Sequence, residues 1–239
     1  MRACLVNVGV NCRHGALRSP IFKNDEFEFV PIPEDKCFSS CFEIQKYKDM
    51  KNFTEIPFSE FIPEHRLECR VHNDPEFDTF TYGDYPHQRG RIQLSKLKPG
   101  DYIAFWARLV HFHNRKFERN ASLYFIGALK IRDIFRDSVD RVRFPTEVRF
   151  NAHVLRAHCM PKFRASYYRE FKVFLGSKRS TRLDNAKPLT LGVTKRLGLN
   201  ISANWNWTTE MQLIGSCLRA PTLLDRSDKV TELLDYLEL

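Results

Sequence analysis

The chain has 239 residues, 43% hydrophobic and 28% charged, with 20 Phe and a formal net charge of +9. That length and apolar content exclude an extended disordered chain, because enough surface can be buried to form a sizeable core. No apolar run approaches the roughly 20 residues a membrane helix needs, so a soluble protein with no membrane partner is expected.

In chain order, Arg2 to Val10 is a β-branched apolar run ending in a Gly and Asn turn, which predicts a buried opening strand. Glu26 to Ile32 alternates as E-F-E-F-V-P-I and predicts a second strand, ended or held at an edge by Pro31 and Pro33. Cys37 to Phe61 has no clear period. A long acidic and aromatic loop follows through Pro75, Gly83, Pro86 and Gly90, and loops of that length tend to be functional. Lys98, Pro99, Gly100 and Asp101 carry the residues of a type II turn. Asp101 to Leu109 and Ser122 to Ile131 are the two clearest strands, expected to pair antiparallel through a basic loop at Asn114, Arg115 and Lys116. Behind Ser227 as N-cap, Val230, Leu233, Leu234 and Leu237 recur at helical spacing and predict an amphipathic C-terminal helix.

The seven cysteines are odd in number and scattered, and the N-terminus does not read as a signal peptide, which fits a reducing, cytoplasmic compartment. Only Cys37 and Cys41 are close, and no second pair completes a four-ligand zinc site.

Charge is divided along the chain. From Asn24 to Asp84 there are fifteen acidic against six basic residues, and from Arg141 to Arg182 eleven basic against two acidic. In the second stretch Phe163, Tyr167, Tyr168 and Phe171 interleave with the cations, which suits phosphate contacts beside base stacking. A solvated face, balanced by the acidic half across an internal interface, is the structural alternative. No repeat or flexible linker divides the chain. The expectation is one α+β domain over residues 1–239, with an acidic lobe near 1–136 and a basic lobe near 137–239.

The phosphate loop G-x-x-x-x-G-K-S/T, the dinucleotide fingerprint, H-E-x-x-H and the nucleophile elbow are all missing. Four polar clusters remain. Asn7, Asn11, Arg13, His14, Arg18 and Ser19 crowd the end of the opening strand, where sheets often present ligand contacts, although Asn, Gly and Ser also serve turns by themselves. His72, Asp74, Glu76, Asp78 and Asp84 share one loop and offer acid, base or oxygen ligands; His72, Asp74, Glu76 and Asp84 are the catalytic candidates. Their spacing matches no defined metal loop, so no metal site is assigned; an ion there would be Mg²⁺ or Mn²⁺ rather than structural zinc. Asn151, His153, Arg156 and His158 lie in the basic stretch as phosphate or base ligands, or as surface histidines among like charges. Finally, Asn204, Trp205, Asn206 and Trp207 precede a G-S-C-L-R turn ending at Arg219 and offer a stacking surface beside amides, or else a Trp-anchored core turn.

These residues, with L-V-N-V-G-V at Leu5 to Val10, L-R-S-P-I-F at Leu17 to Phe22, F-V-P-I-P-E at Phe29 to Glu34, H-N-D-P-E-F through T-Y-G-D at His72 to Asp84, L-K-P-G-D at Leu97 to Asp101 and N-W-N-W-T at Asn204 to Thr208, resemble the third of the nucleotide-modification-associated domains. The resemblance spans nearly the whole chain and implies a role linked to nucleic acids, without supplying a catalytic residue. The L-K-P-G-D turn and the strand F-I-G-A-L-K-I also resemble the small barrels of pseudouridine-synthase-associated and modified-base-reading domains, so the mixed or antiparallel sheet is expected to be barrel-like.

The leading expectation is a protein that recognises or modifies a base or nucleotide. Arg164, Arg169, Lys178 and Arg182, with Asn7, Arg18, Asn151, His153 and Arg156, would hold phosphate or base, and Asn204, Trp205, Trp207 and Arg219 would form a base pocket. The alternatives are a metal-dependent nuclease or phosphoryl-transfer enzyme and a protein-interaction module.

Overall fold

The computed structural model describes residues 1–35, 41–84, 92–136, 144–159, 171–201 and 209–239. Its elements run β1 (Ala3–Val8), β2 (Ser19–Ile21), β3 (Ile32–Pro33), α1 (Glu64–Leu67), β4 (Val71–His72), β5 (Thr81–Asp84), β6 (Tyr102–His113) and β7 (Lys116–Arg136). They continue with α2 (Thr146–Arg149), α3 (Ala152–Cys159), β8 (Lys172–Gly176), β9 (Thr181–Pro188), α4 (Leu191–Arg196), α5 (Glu210–Cys217), β10 (Thr222–Leu224) and α6 (Ser227–Leu237). This is an α+β fold around a mixed sheet of order β10-β1-β6-β7-β8-β5, with β2 on β6 and β9 on β7.

β6 lies at its centre because its residues are apolar on both faces; Arg108 and His111 are the interruptions before its exposed last residue. It pairs parallel with β1, Asn7 opposite Trp106, and further along with β2. Its antiparallel hairpin with β7 turns on Asn114 and Arg115, both at positive φ (49° and 59°), as a two-residue turn between right-twisted strands requires. Both strands extend beyond the predicted limits. The L-K-P-G-D turn forms as expected: Gly100 has φ 91° and Asp101 N–H donates to Lys98 O.

α6 begins at Ser227 and buries Val230, Leu233, Leu234 and Leu237, the predicted stripe; its N-cap is Arg226 rather than Ser227. Two strand expectations fail. Glu26 to Ile32 does not form one strand: it makes isolated bridges at Glu26 and Phe27 and reaches β3 only at Ile32, because Glu28 between them turns inward to accept from the Phe53 and Thr54 N–H groups. The barrel does not form either: β10 and β5 end the ladder without pairing to each other, and closure needs a strand stagger that brings the edges together. Instead α3 packs against β5.

Most phenylalanines go to the interior, with Phe27, Phe105, Phe125, Phe171 and Phe174 among the largest fully buried side chains. Cys41 and Cys159, 118 residues apart, pair as a disulfide beside the cluster that packs Ile44 against Val148 and Leu155. Spacing gave no sign of this bridge. Cys4, Cys69 and Cys217 are unbridged. Among the described residues no helix is long and apolar enough to cross a membrane.

Candidate functional site

Two polar regions form, one on each face of β6. Alternation along the strand sends Phe105 one way and Trp106 and Arg108 the other. Phe105 packs on Phe77 and Tyr82, from the segment carrying the predicted loop carboxylates.

On the Trp106 side, two adjoining cavities of about 150 and 310 Å³ share Asn11 and Arg108 in their linings. β1 supplies Asn7, and the turn after it supplies Asn11, Arg13 and Arg18. That turn is held by reciprocal capping: Asn11 Oδ1 accepts from Arg13 N–H, and Asn11 N–H donates to His14 Nδ1, both at 2.9 Å. Gly9 carries the chain into it at φ 78°, where a Cβ would meet the Phe29 ring at 2.7 Å. β6 supplies Trp106 and Arg108, Arg119 comes from β7, and Met211, Gly215 and Arg219 line the larger cavity at four-residue steps along α5 and just past its end. The G-S-C-L-R segment is therefore the close of a helix, not a free turn. A capping box at Thr209 and Gln212 starts that helix.

Five arginines thus converge: Arg13, Arg18, Arg108, Arg119 and Arg219. Among the described residues none has a carboxylate partner, whereas Arg115, Arg132, Arg156 and Arg226 are ion-paired. Trp106 is 1% exposed, and its indole N–H and the Arg108 Nε are buried without a hydrogen-bond partner among the described residues. Buried donors are nearly always satisfied, so unsatisfied ones lining a cavity are places where a water or a ligand acceptor fits.

On the other face, two of the predicted clusters meet. His153 Nε2 lies 3.2 Å from Asp74 Oδ2, and the His72 and His153 rings meet edge-on at 4.7 Å. Asp74 also accepts from Gly83 N–H at 3.0 and 3.1 Å and from Asn151 Nδ2 at 3.3 Å; Asn151 Oδ1 takes the His153 N–H at 3.0 Å. Behind His72 stands Glu34, its Oε2 3.3 Å from Nδ1, an electrostatic contact without the alignment of a hydrogen bond. Arg156 Nε donates to both Glu34 oxygens at 3.0 and 2.9 Å. Burial pushes the Asp74 carboxyl up to about 7, with the Asp84 charge adding to the rise. Burial also opposes the Glu34 charge, but His72 and Arg156 outweigh it and bring that carboxyl down to about 2. Burial lowers His72. His72, Asp74 and His153 offer ligand atoms within 4.8 Å of one another.

Asn151, His153 and Arg156, expected to meet phosphate or base, are thus turned inward, and Arg156 pairs with Glu34 of the acidic stretch. Glu76 takes the Asp78 and Thr79 N–H groups and shapes its own loop, and Asp84 accepts from Tyr82 OH at 2.7 Å. Arg182 lies over Phe27 and Phe53 and bonds Phe27 O, while Lys178 is exposed between β8 and β9. Arg164, Arg169, Asn204, Trp205 and Trp207 lie outside the described residues.

Gly83 has no room for a side chain: a Cβ there would sit 2.7 Å from Asn151 Oδ1 and closer still to the His153 ring. Gly83→Ala is expected to cost about 1–3 kcal/mol through overpacking, read as a melting temperature lower by about 2–12 °C. An unchanged melting temperature would show that α3 does not seat on β5 as described.

An α+β domain with an open mixed sheet and an arginine-lined pair of cavities is the class these features define. The model for nucleotide modification associated domain 3 matches residues 2–209, and the chain belongs to that family. The family's name implies a role in nucleotide modification. No curated protein and no solved structure matches the chain.

Proposed function

We propose that this chain binds a nucleotide or a nucleic-acid strand during nucleotide modification and holds its phosphates in the arginine cavity. The observation that carries this reading is the convergence of five arginines, without carboxylate partners among the described residues, on two adjoining cavities that share Arg108. Guanidinium groups suit phosphate because their planar donors match two oxygens at once, and every neutralised phosphate releases counterions. Asn7 and the Trp106 N–H supply neutral donors that can meet a sugar or base edge beside the phosphates. The family's association with nucleotide modification supports a nucleotide ligand over a simple anion.

The test is binding of a fluorescently labelled oligonucleotide at low salt. Arg108→Gln is expected to weaken it by roughly 10- to 100-fold, the worth of a charge-assisted contact of about 1.5–3 kcal/mol. Arg226→Gln, which removes an exposed partner of Asp228, should leave binding unchanged. Equal losses in the two variants would count against the cavity and in favour of diffuse attraction by net charge.

A further inference from the structure

We propose that His72, Asp74 and His153 form a mononuclear centre for a divalent transition-metal ion, with Glu34 as the outer carboxylate that orients His72. The proposal goes beyond the arginine cavity, which lies on the opposite face of β6, and does not depend on it. Three observations carry it. The three side chains are 6%, 9% and 4% exposed and present ligand atoms within 4.8 Å, at the separations found around one small cation. Each also has its own support: Glu34, fixed by Arg156, stands at His72 Nδ1, Asp74 is held by Gly83 and Asn151, and Asn151 caps the backbone at His153. A carboxylate behind a ligating histidine fixes the tautomer, so that the proton sits on Nδ1 and the lone pair on Nε2. Finally, the two imidazoles meet edge-on at 4.7 Å in the interior with His153 Nε2 3.2 Å from Asp74 Oδ2, so both rings converge on the one buried carboxylate.

The donor set selects the ion. Two imidazole nitrogens and one carboxylate oxygen suit Mn²⁺, Fe²⁺ or Zn²⁺ and disfavour Mg²⁺, which takes oxygen ligands. The sequence-based expectation of oxygen ligands rests on the His72 to Asp84 loop without His153, 69 residues beyond Asp84. Three protein donors are one fewer than a closed structural zinc site, which leaves a coordination position for water or substrate. Two imidazoles with one carboxylate and open positions is the arrangement that non-haem metal enzymes use.

Chelator-treated protein is titrated separately with Mn²⁺, Zn²⁺ and, without oxygen, Fe²⁺, and bound metal and melting temperature are measured. The expected result is one ion per chain and a raised melting temperature with at least one of the three. Glu34→Gln should bind about 10- to 100-fold more weakly. His153→Gln should lose the ion, and His158→Gln, on the exposed side of α3, should bind as the wild type. Should His153→Gln fail to fold, wild-type protein loaded with Co²⁺ decides the matter: strongly shifted histidine proton resonances support the centre and their absence overturns it. Folded wild-type protein that binds none of the three ions stoichiometrically, or a folded His153→Gln that binds like the wild type, also overturns it.

Discussion

Arg156→Ala is expected to lower stability by about 3–5 kcal/mol, because it leaves the Glu34 carboxylate, 1% exposed, without its hydrogen-bonded counter-charge. In a chain of this length that is a melting temperature lower by about 6–20 °C. The loss measures the penalty of a stranded charge and not the worth of the pair. The double variant Glu34→Leu with Arg156→Met should therefore recover much of it, since an apolar pair of similar volume is often as stable as a buried ion pair. Chemical denaturation of the two single variants and the double variant checks this. Were Arg156→Ala as stable as the wild type, the link between the acidic and basic halves would be a surface contact.

Replacing Arg108, Arg119 and Arg219 together by Gln should have the largest effect on binding. If all five cavity arginines meet phosphates, log affinity should fall against log salt with a slope near −4.5 on duplex and −3.5 on a single strand, a loss of roughly 100- to 500-fold between 50 and 200 mM salt. The triple variant removes three contacts and should flatten the slope by about 2–3. Binding that ignores salt, or a variant with the wild-type slope, would place the phosphates elsewhere.

How legible the fold was depended on whether an element carried its own pattern. β6, β7 and α6 did, through alternation, turn chemistry and a helical stripe; all three formed, with α6 starting at the predicted Ser227 and both strands running beyond their predicted ends. β2 and β5, at S-P-I and T-Y-G-D, are three and four residues long, and tertiary pairing with β6 and β8 makes them strands. The barrel was an inference from one turn and two strands that many β-rich folds share.

The site residues divide in the same way. His72, Asp74, Asn151, His153 and Arg156 were each singled out, but as a loop cluster and a basic cluster with different roles. Their meeting depends on α3 docking against β5, which no local spacing encodes. Glu34, which follows two prolines in F-V-P-I-P-E, carries no local pattern that marks a buried carboxylate; its role depends on Arg156, 122 residues further on. Asn7, Arg18 and Arg219 were chosen as binding residues and do line the arginine cavities. Trp106 and Arg108 were read as part of a core strand, although an arginine two residues after a tryptophan shares its face and signals a polar opening in that face.

The most direct measurement of the central claim is the Trp106 indole N–H resonance in a ¹H–¹⁵N spectrum, assigned by its loss in Trp106→Phe, during titration with an oligonucleotide at low salt. Trp106 is one of three tryptophans, and its N–H is buried beside the larger cavity without a partner among the described residues, so an acceptor arriving there must move it. A saturable shift that tracks the binding curve and is lost in the triple arginine variant is the expected result. Saturating the protein with oligonucleotide while the Trp106 resonance stays in place would contradict it.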